Sequence, residues 1–137
     1  MEPLLKVENL RIELTTRDGV APVIDDLSLE LSPGETLSFV GESGCGKSMT
    51  ALALMGLLPD VGRVASGKIL FNGEDLTKAS DERLREIRGN DISMIFQEPM
   101  TSLNPVFTVG RQLTEGLRVH KGMSKEAATE RLSLIHI

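Results

Sequence analysis

Residues 41–48, GESGCGKS, combine the residue types that an anion needs from a protein. Three glycines permit positive φ angles, so consecutive backbone N–H groups can point at one anion. Lys47 adds a positive charge, and the hydroxyl of Ser48 is a suitable ligand for Mg²⁺. These residues therefore favour the binding of a phosphate chain together with its metal ion.

The spacing follows the P-loop pattern G-x-x-x-x-G-K-[ST], which requires a strand before it and a helix after it. Residues 36–40 form an apolar run that predicts a buried central strand. Residues 47–58 are apolar nearly all round and predict a buried helix that ends before Pro59. This context argues against a chance glycine turn. The predicted phosphate-binding residues are Gly41, Glu42, Ser43, Gly44, Cys45, Gly46, Lys47, Ser48 and Met49.

Cys45 allows two interpretations. Its thiol could be activated by the N-terminus of the following helix, or the residue could simply be small enough for the loop. The second interpretation is preferred.

A second informative stretch, residues 92–113, has the sequence ISMIFQEPMTSLNPVFTVGRQL. Residues 91–96 predict an apolar strand, and Gln97 follows at the point where the strand becomes a loop. Its side-chain amide could accept a hydrogen bond from metal-bound water or ligate Mg²⁺ through its carbonyl oxygen. A lone glutamine at such a position is ordinarily a solvated loop residue, but the flanking FQEP and SLNP favour a functional role.

The remaining pattern predicts the elements that must position these residues. Alternating apolar residues indicate half-buried strands, Asn72-Gly73 indicates a hairpin turn, and Ser80 is a helix N-cap. The predicted strands lie at 10–14, 27–31 and 66–71, with turns at 17–19 and 32–35, and two later helices lie near 106–120 and 125–132.

Composition limits the function classes. The chain has 137 residues, a net charge of −5 and one cysteine, so an internal disulfide is excluded and no basic surface for nucleic acid is indicated. The longest apolar run, residues 51–58, is far shorter than the roughly 20 residues that span a bilayer. No N-terminal signal peptide is predicted.

Two stretches, VGESGCGKSMTALALMGLLP and MIFQEPMTSLNPVFTVG, resemble the ATP-binding subunits of ABC transporters. The phrase EPMTSLNP resembles the dipeptide/oligopeptide, or peptide/nickel-type, bacterial importers, and the resemblance covers about residues 4–131. It implies that residues 41–48 are the Walker A motif and that Gln97 is the Q-loop glutamine. By resemblance, Lys47 and Gln97 are catalytic, Ser48 and Gln97 ligate the metal, and the cofactors are ATP and Mg²⁺.

The resemblance also implies an architecture and partners. The expected fold is α/β: a P-loop core with an N-terminal antiparallel β subdomain and the beginning of a helical subdomain. The expected partners are transmembrane permease subunits, a second ATP-binding subunit in a homo- or heterodimer and, indirectly, a periplasmic solute-binding protein. The expected location is peripheral, on the cytoplasmic face of the bacterial inner membrane. No nucleic acid partner is expected.

The sequence departs from the family pattern in several places. The adenine-stacking aromatic residue would fall near Leu14 or Val20, and neither is aromatic; Leu14 either packs on the base or is strand core. The sequence contains no LSGGQ-type signature, no apolar strand ending in Asp-Glu and no switch histidine. His120 is interpreted as a solvated helix-end residue. We therefore expect residues 1–131 to be the N-terminal part of a longer ATP-binding domain.

Residues 132–137, LSLIHI, resemble the in-frame translation of a DNA adapter used in sequencing libraries, and we expect them to be non-native. The alternative is a genuine helix end. On either interpretation His136 carries no function.

Three hypotheses for function remain at this point. The first is a transport ATPase in the full-length protein, which the stretch FQEPMTSLNP favours. The second is another P-loop enzyme such as a small-molecule kinase. The third is a nucleotide-binding fragment without catalysis.

Overall fold

A computed structural model of the protein describes residues 3–42, 44, 46–98 and 102–133. The chain divides into two units, Met1–Leu84 and Arg85–Ile137, which are described separately. The strands are β1 (Leu5–Thr16), β2 (Gly19–Leu31), β3 (Gly62–Phe71) and β4 (Glu74–Asp75). The helices are α1 (Lys47–Leu54), a 3₁₀ turn (Leu76–Lys78), α2 (Asp81–Ile87), α3 (Val109–Lys121) and α4 (Lys125–Ser133).

The four strands form one antiparallel sheet in the order β2-β1-β3-β4. The three predicted strands are confirmed within β1, β2 and β3, which are longer than the alternating patterns alone. The hairpin at Asn72-Gly73 is confirmed as well, because both residues have positive φ angles, 48° and 81°, as a two-residue turn of this twist requires. The buried face of the sheet carries the main core of the first unit: Val7, Leu10, Ile12, Ile24 and Ile69.

A bulge in β1 explains how this face is assembled. Val7 and Leu10 are both buried although they are three residues apart, which strict alternation would place on opposite faces. The pairing register shifts between them, and Asn9 adopts a positive φ of 46°. The extra residue of a bulge restores the common face. The amide Nδ2 of Asn9 donates to Oδ1 of Asp26 at 2.7 Å, which ties the bulge to β2.

Gly67 of β3 lies very close to the backbone of this bulge in the neighbouring strand β1. Its φ is 90°, and a Cβ atom there would lie only 2.6 Å from the carbonyl oxygen of Glu8 and from Cα of Leu10. A side chain at this position would therefore require the backbones of two strands to separate.

Ion pairs surround the sheet. Arg83 of α2 donates from Nε and Nη2 to the carboxylate of Glu74 at 2.9–3.1 Å. These hydrogen bonds lower the pKa of Glu74. Hydrogen bonds from Arg11 and then Arg63 lower the pKa of Glu13 in the same way.

The predicted strands at 36–40 and 91–96 are wrong for this structure. Val40 is 96% exposed and Ile95 98% exposed, and neither segment is a strand. Among the described residues, the second segment contributes only a single bridge, between Ile92 and Arg88. A continuous apolar run indicates a strand covered on both faces in a parallel sheet, but no described strand lies beside either segment to accept its hydrogen bonds.

Helix α1 is shorter than predicted and less completely buried. It ends at Leu54, and within it only Thr50 and Ala53 are buried. Gly56 takes the left-handed conformation with φ 61°, and the N–H of Leu57 donates to the carbonyl of Leu52 at 2.8 Å. A left-handed glycine of this kind ends a helix before the apolar residues run out.

The two later helices are confirmed in the second unit. Thr108 caps α3 by accepting from the N–H of Arg111 at 3.4 Å, and the left-handed Gly122 ends it. Thr114 of α3 and Ala128 of α4 are buried. In the first unit, Oγ of Ser80 accepts from the N–H of Arg83 at 3.2 Å, which confirms the predicted cap of α2.

Residues 134–137, including His136, lie outside the described residues. Within the described ranges, no helix combines the length and the apolar character needed to cross a bilayer.

Candidate phosphate-binding site

Two of the three glycines in the loop, Gly44 and Gly46, take the positive φ angles that the sequence analysis expected, and Gly41 does not. Gly44 and Gly46 have φ angles of 85° and 92°, and α1 begins directly afterwards at Lys47. No heavy atom outside the immediate chain neighbours lies within 4 Å of a Cβ built on Gly44, so the loop is open at this point. Ser43 and Cys45 lie outside the described residues.

Gly46 brings the backbone of the loop into close contact with strand β2. A Cβ atom on this residue would overlap Cδ1 of Ile24 and would lie 3.3 Å from the carbonyl oxygen of Val23. Buried Thr50 donates to the carbonyl of Gly46 twice, from its N–H at 2.9 Å and from its hydroxyl at 3.1 Å. The first turn of α1 is therefore held against β2 in a fixed orientation.

The ammonium of Lys47 turns back over the loop. Its Nζ donates to the carbonyl oxygens of Gly41 and Glu42, each at 2.6 Å. The positive charge is thus kept close to the beginning of the loop instead of extending along the helix.

The first turn of α1 completes the arrangement. The N–H groups of Ser48 and Met49 have no acceptor within the helix because they belong to its first turn. They add to the partial positive charge of the helix N-terminus. The side chain of Ser48 is exposed. Curved backbone, ammonium and helix N-terminus together fit a phosphate chain.

A cavity of about 320 Å³ lies beside the loop in the first unit. Gly46, Lys47 and Thr50 line one part of it, and residues 23–27 of β2 line another. Phe39 and Val40, from the apolar segment that forms no strand, complete its lining.

Gln97 belongs to the second unit, whereas the glycine-rich loop belongs to the first. Its side chain is exposed and, with Phe96, Glu98 and Ser102, lines a cavity of about 590 Å³. Pro99, Met100 and Thr101, in the middle of the EPMTSLNP stretch, lie outside the described residues. The catalytic and metal-binding roles of Gln97 therefore stay predictions.

Gln112 is a residue that the sequence analysis missed. From the first turns of α3, its side-chain amide makes three hydrogen bonds with the backbone of the preceding turn at Asn104 and Phe107. The Asn-Pro pair in SLNPVF indicates a turn, but no periodic pattern connects that turn to a glutamine eight residues later.

Leu14 and Val20, the two positions at which the family pattern places an adenine-stacking residue, lie in the β1–β2 hairpin. Leu14 is half-buried in β1 opposite Gly62, where an added Cβ would lie 3.1 Å from Cδ2 of Leu14. Val20 is exposed at the β1–β2 hairpin. His120 lies in the last turn of α3 as predicted, but it is half-buried rather than solvated.

Comparisons with known proteins show the family of this chain. A family model described as "ABC transporter" matches residues 24–137. The chain belongs to the ABC transporter family. It is 52% identical to the dipeptide transport ATP-binding protein DppD of Bacillus subtilis (strain 168), an alignment that covers 100% of this chain and 42% of DppD. It is 51% identical to the oligopeptide transport ATP-binding protein OppD of Haemophilus influenzae, covering 93% of this chain and 39% of OppD.

Solved structures establish the fold of this ABC domain. The dimeric structure of MJ0796, a bacterial ABC transporter cassette, matches with a TM-score of 0.79 over 93% of this chain and 53% of the cassette, at 22% identity. A post-hydrolysis state of MJ0796 bound to ADP and Pi matches with a TM-score of 0.77. The predicted fold class, the α/β fold of ABC-type cassettes, is therefore confirmed. The chain spans less than half the length of DppD and OppD.

Proposed function

We propose that this chain is the nucleotide-binding part of an ABC importer subunit, which binds ATP with Mg²⁺ and, in the full-length protein, hydrolyses ATP to drive import of peptides or related solutes. One observation carries the proposal: the left-handed glycines at 44 and 46 lead directly into a helix whose first residue, Lys47, turns back over the loop. The names of the similar DppD and OppD, both transport ATP-binding proteins, support the transport role.

Each residue of the loop has a proposed task. Backbone N–H groups of the loop would face the phosphates, and the N–H groups of Ser48 and Met49 would donate to phosphate oxygens. Lys47 is shared between the carbonyls of Gly41 and Glu42 and the β- and γ-phosphates. The hydroxyl of Ser48 and the side-chain carbonyl of Gln97 are the proposed metal ligands. Bound Mg²⁺ would neutralise charge that develops on the phosphates.

The proposed partners are permease subunits in the bacterial inner membrane, reached from its cytoplasmic face, and a second ATP-binding subunit. The dimeric state of the similar cassette MJ0796 supports the second of these. A periplasmic solute-binding protein would act through the permease subunits rather than directly on this chain.

The 137-residue polypeptide alone is proposed to bind nucleotide without turning it over. Phosphoryl transfer needs a metal held from both sides and an oriented water. Ser48 and Gln97 are the candidates for one side, and the sequence has no apolar strand ending in Asp-Glu for the other. The membership in the ABC family disfavours the kinase-like alternative.

The test is the Lys47→Ala variant of the full-length protein. It removes the ammonium but keeps the backbone loop, so we expect ATP hydrolysis to fall by about 10²-fold or more, with weaker ATP binding. Lys68→Ala, which removes an exposed lysine from β3, is the matched control and should hydrolyse ATP normally. Near-normal steady-state ATPase activity of Lys47→Ala would contradict the proposed site.

A second variant separates binding from chemistry. Gln97→Ala should reduce hydrolysis by about 10²-fold, because a misplaced water or metal is costly, while the affinity for a fluorescent ATP analogue changes little. Equal losses of affinity and turnover would show that Gln97 has only a structural role.

A further inference from the structure

The side-chain amide of Gln112 holds a turn of the loop that precedes its own helix. Its Oε1 accepts from the N–H of Asn104 at 2.7 Å. Its Nε2 donates to two carbonyl oxygens, those of Asn104 and Phe107, each at 2.9 Å. One planar amide therefore satisfies three backbone groups of the turn at 104–107.

The turn itself is closed by local bonds that complement this arrangement. Oδ1 of Asn104 accepts from the N–H of Val106 at 2.9 Å, and the N–H of Phe107 donates to the carbonyl of Asn104 at 3.3 Å. Arg111 lies over the ring of Phe107, with its guanidinium carbon 4.0 Å from the ring centroid, a cation–π contact. The turn and the first two turns of α3 are thus joined into one piece.

Burial of apolar side chains does not stabilise this turn. The apolar side chains around it are exposed, namely Leu103, Val106, Phe107, Val109 and Leu113. An exposed loop without apolar burial has little to hold it except hydrogen bonds. The amide of Gln112 supplies the bonds that link the loop to the helix.

We propose that Gln112 is a positioning residue, which couples the loop segment at 102–107 to helix α3 by fixing the turn at 104–107. This inference rests on the proposed function, because it assigns Gln112 to communication between the nucleotide site and the rest of the transporter. A displacement of residues 102–107 would move α3 with it, instead of being absorbed at the turn.

The side chain must be glutamine for geometric and chemical reasons. Glutamate has the same length but only acceptor atoms when ionised, so it would repel the carbonyls of Asn104 and Phe107. Asparagine is one methylene shorter and cannot reach both ends of the turn from the same helical position. Gln112→Ala and the isosteric Gln112→Glu should therefore fail in the same way.

The experiment uses the full-length subunit assembled with its permease subunits. Amide hydrogen exchange in residues 102–108 should become about five- to ten-fold faster in both variants. The ATPase rate stimulated by the transported solute should fall about ten-fold, while KM for ATP stays within about two-fold. Glu115→Ala, an exposed residue of the same helix, is the matched control and should change neither measurement.

Each outcome tests a different part of the proposal. Unchanged exchange in both variants would overturn the role of Gln112 in fixing the turn. Faster exchange with fully retained stimulation would overturn the coupling role. An assembled wild-type complex that hydrolyses no ATP would contradict the proposed function and the coupling role with it, whereas the exchange data would still decide whether Gln112 fixes the turn.

Discussion

Two kinds of apolar segment in this chain have strand-like sequences, but only one kind forms strands. In β1, Leu10 and Ile12 are fully buried, whereas Val40 and Ile95, from the segments at 36–40 and 91–96, are almost fully exposed. β1 pairs with β2 through a two-residue turn and with β3, all antiparallel. A strand of the parallel type needs a partner brought by a crossover connection. The pattern of a segment indicates the surface that it could bury, but not whether a partner is in place.

The largest expected effect concerns the point where β1 and β3 cross. Gly67→Ala would place a Cβ against the backbone of Glu8, Asn9 and Leu10, at a φ of 90°. Both the overlap and the left-handed conformation oppose a side chain, so the free energy of unfolding should fall by on the order of 5 kcal/mol. Urea denaturation followed by circular dichroism measures this change.

The matched control is Gly73→Ala in the β3–β4 turn. Its φ is 81°, but nothing lies within 4 Å of the added Cβ. Only the conformational cost remains, about 1 kcal/mol. Equal losses for the two variants would mean that the close crossing contributes nothing to the stability of the sheet.

This crossing also marks the limit of what the sequence could predict. The hairpins at 17–19 and 72–73 and the cap at Ser80 depend on neighbouring residues, and local patterns are sufficient to predict them. The bulge at Asn9 and the close approach of Gly67 depend on a strand almost 60 residues away, for which sequence periodicity gives no information.

The candidate site likewise combines features that follow from neighbouring residues with features that do not. The loop residues 41–48 were predicted from their types and spacing because the motif is contiguous. The close approach of Gly46 to Ile24 is a tertiary contact that the motif does not indicate, whereas the bonds of Lys47 to its own loop are local. The bonds of Gln112 to the turn at 104–107 could not be predicted, since exposed side-chain to backbone bonds leave no hydrophobic pattern.

A second prediction compares the two regions with the same substitution. Ile12→Ala removes a fully buried side chain from β1 and should cost about 3 kcal/mol in the 137-residue chain. Ile95→Ala removes a side chain that is almost fully exposed and should change stability by less than about 0.5 kcal/mol. Thermal and urea unfolding of the two variants, measured side by side, test the comparison.

A large cost for Ile95→Ala would break the comparison. It would mean that residues 91–96 pack against a partner in solution, as a buried strand does. Equal and small costs for both variants would instead show that the sheet is not the stable part of the molecule.

The smallest expected effect is a pH dependence at the edge of the sheet. Hydrogen bonds from Arg83, followed by its charge, lower the pKa of Glu74 from its ordinary value of 4.5, although desolvation opposes this. A carboxylate whose pKa is lower in the folded state binds fewer protons there than in the unfolded state. Its stabilising contribution is therefore fully present above the ordinary pKa and is lost as the pH falls through the lower, folded value.

Glu74→Gln removes that contribution, so wild type and variant should differ in stability at neutral pH and converge in acid. Urea midpoints measured from about pH 7 to about pH 3 would show the convergence, and added salt should reduce the difference because both side chains of the pair are partly exposed. Glu82→Gln, at an exposed position of α2, is the control for the change of net charge. A difference that persists undiminished through the acid range would show that Glu74 stabilises β4 by packing and not by its charge. The edge of the sheet would then be stabilised by packing, as its core is.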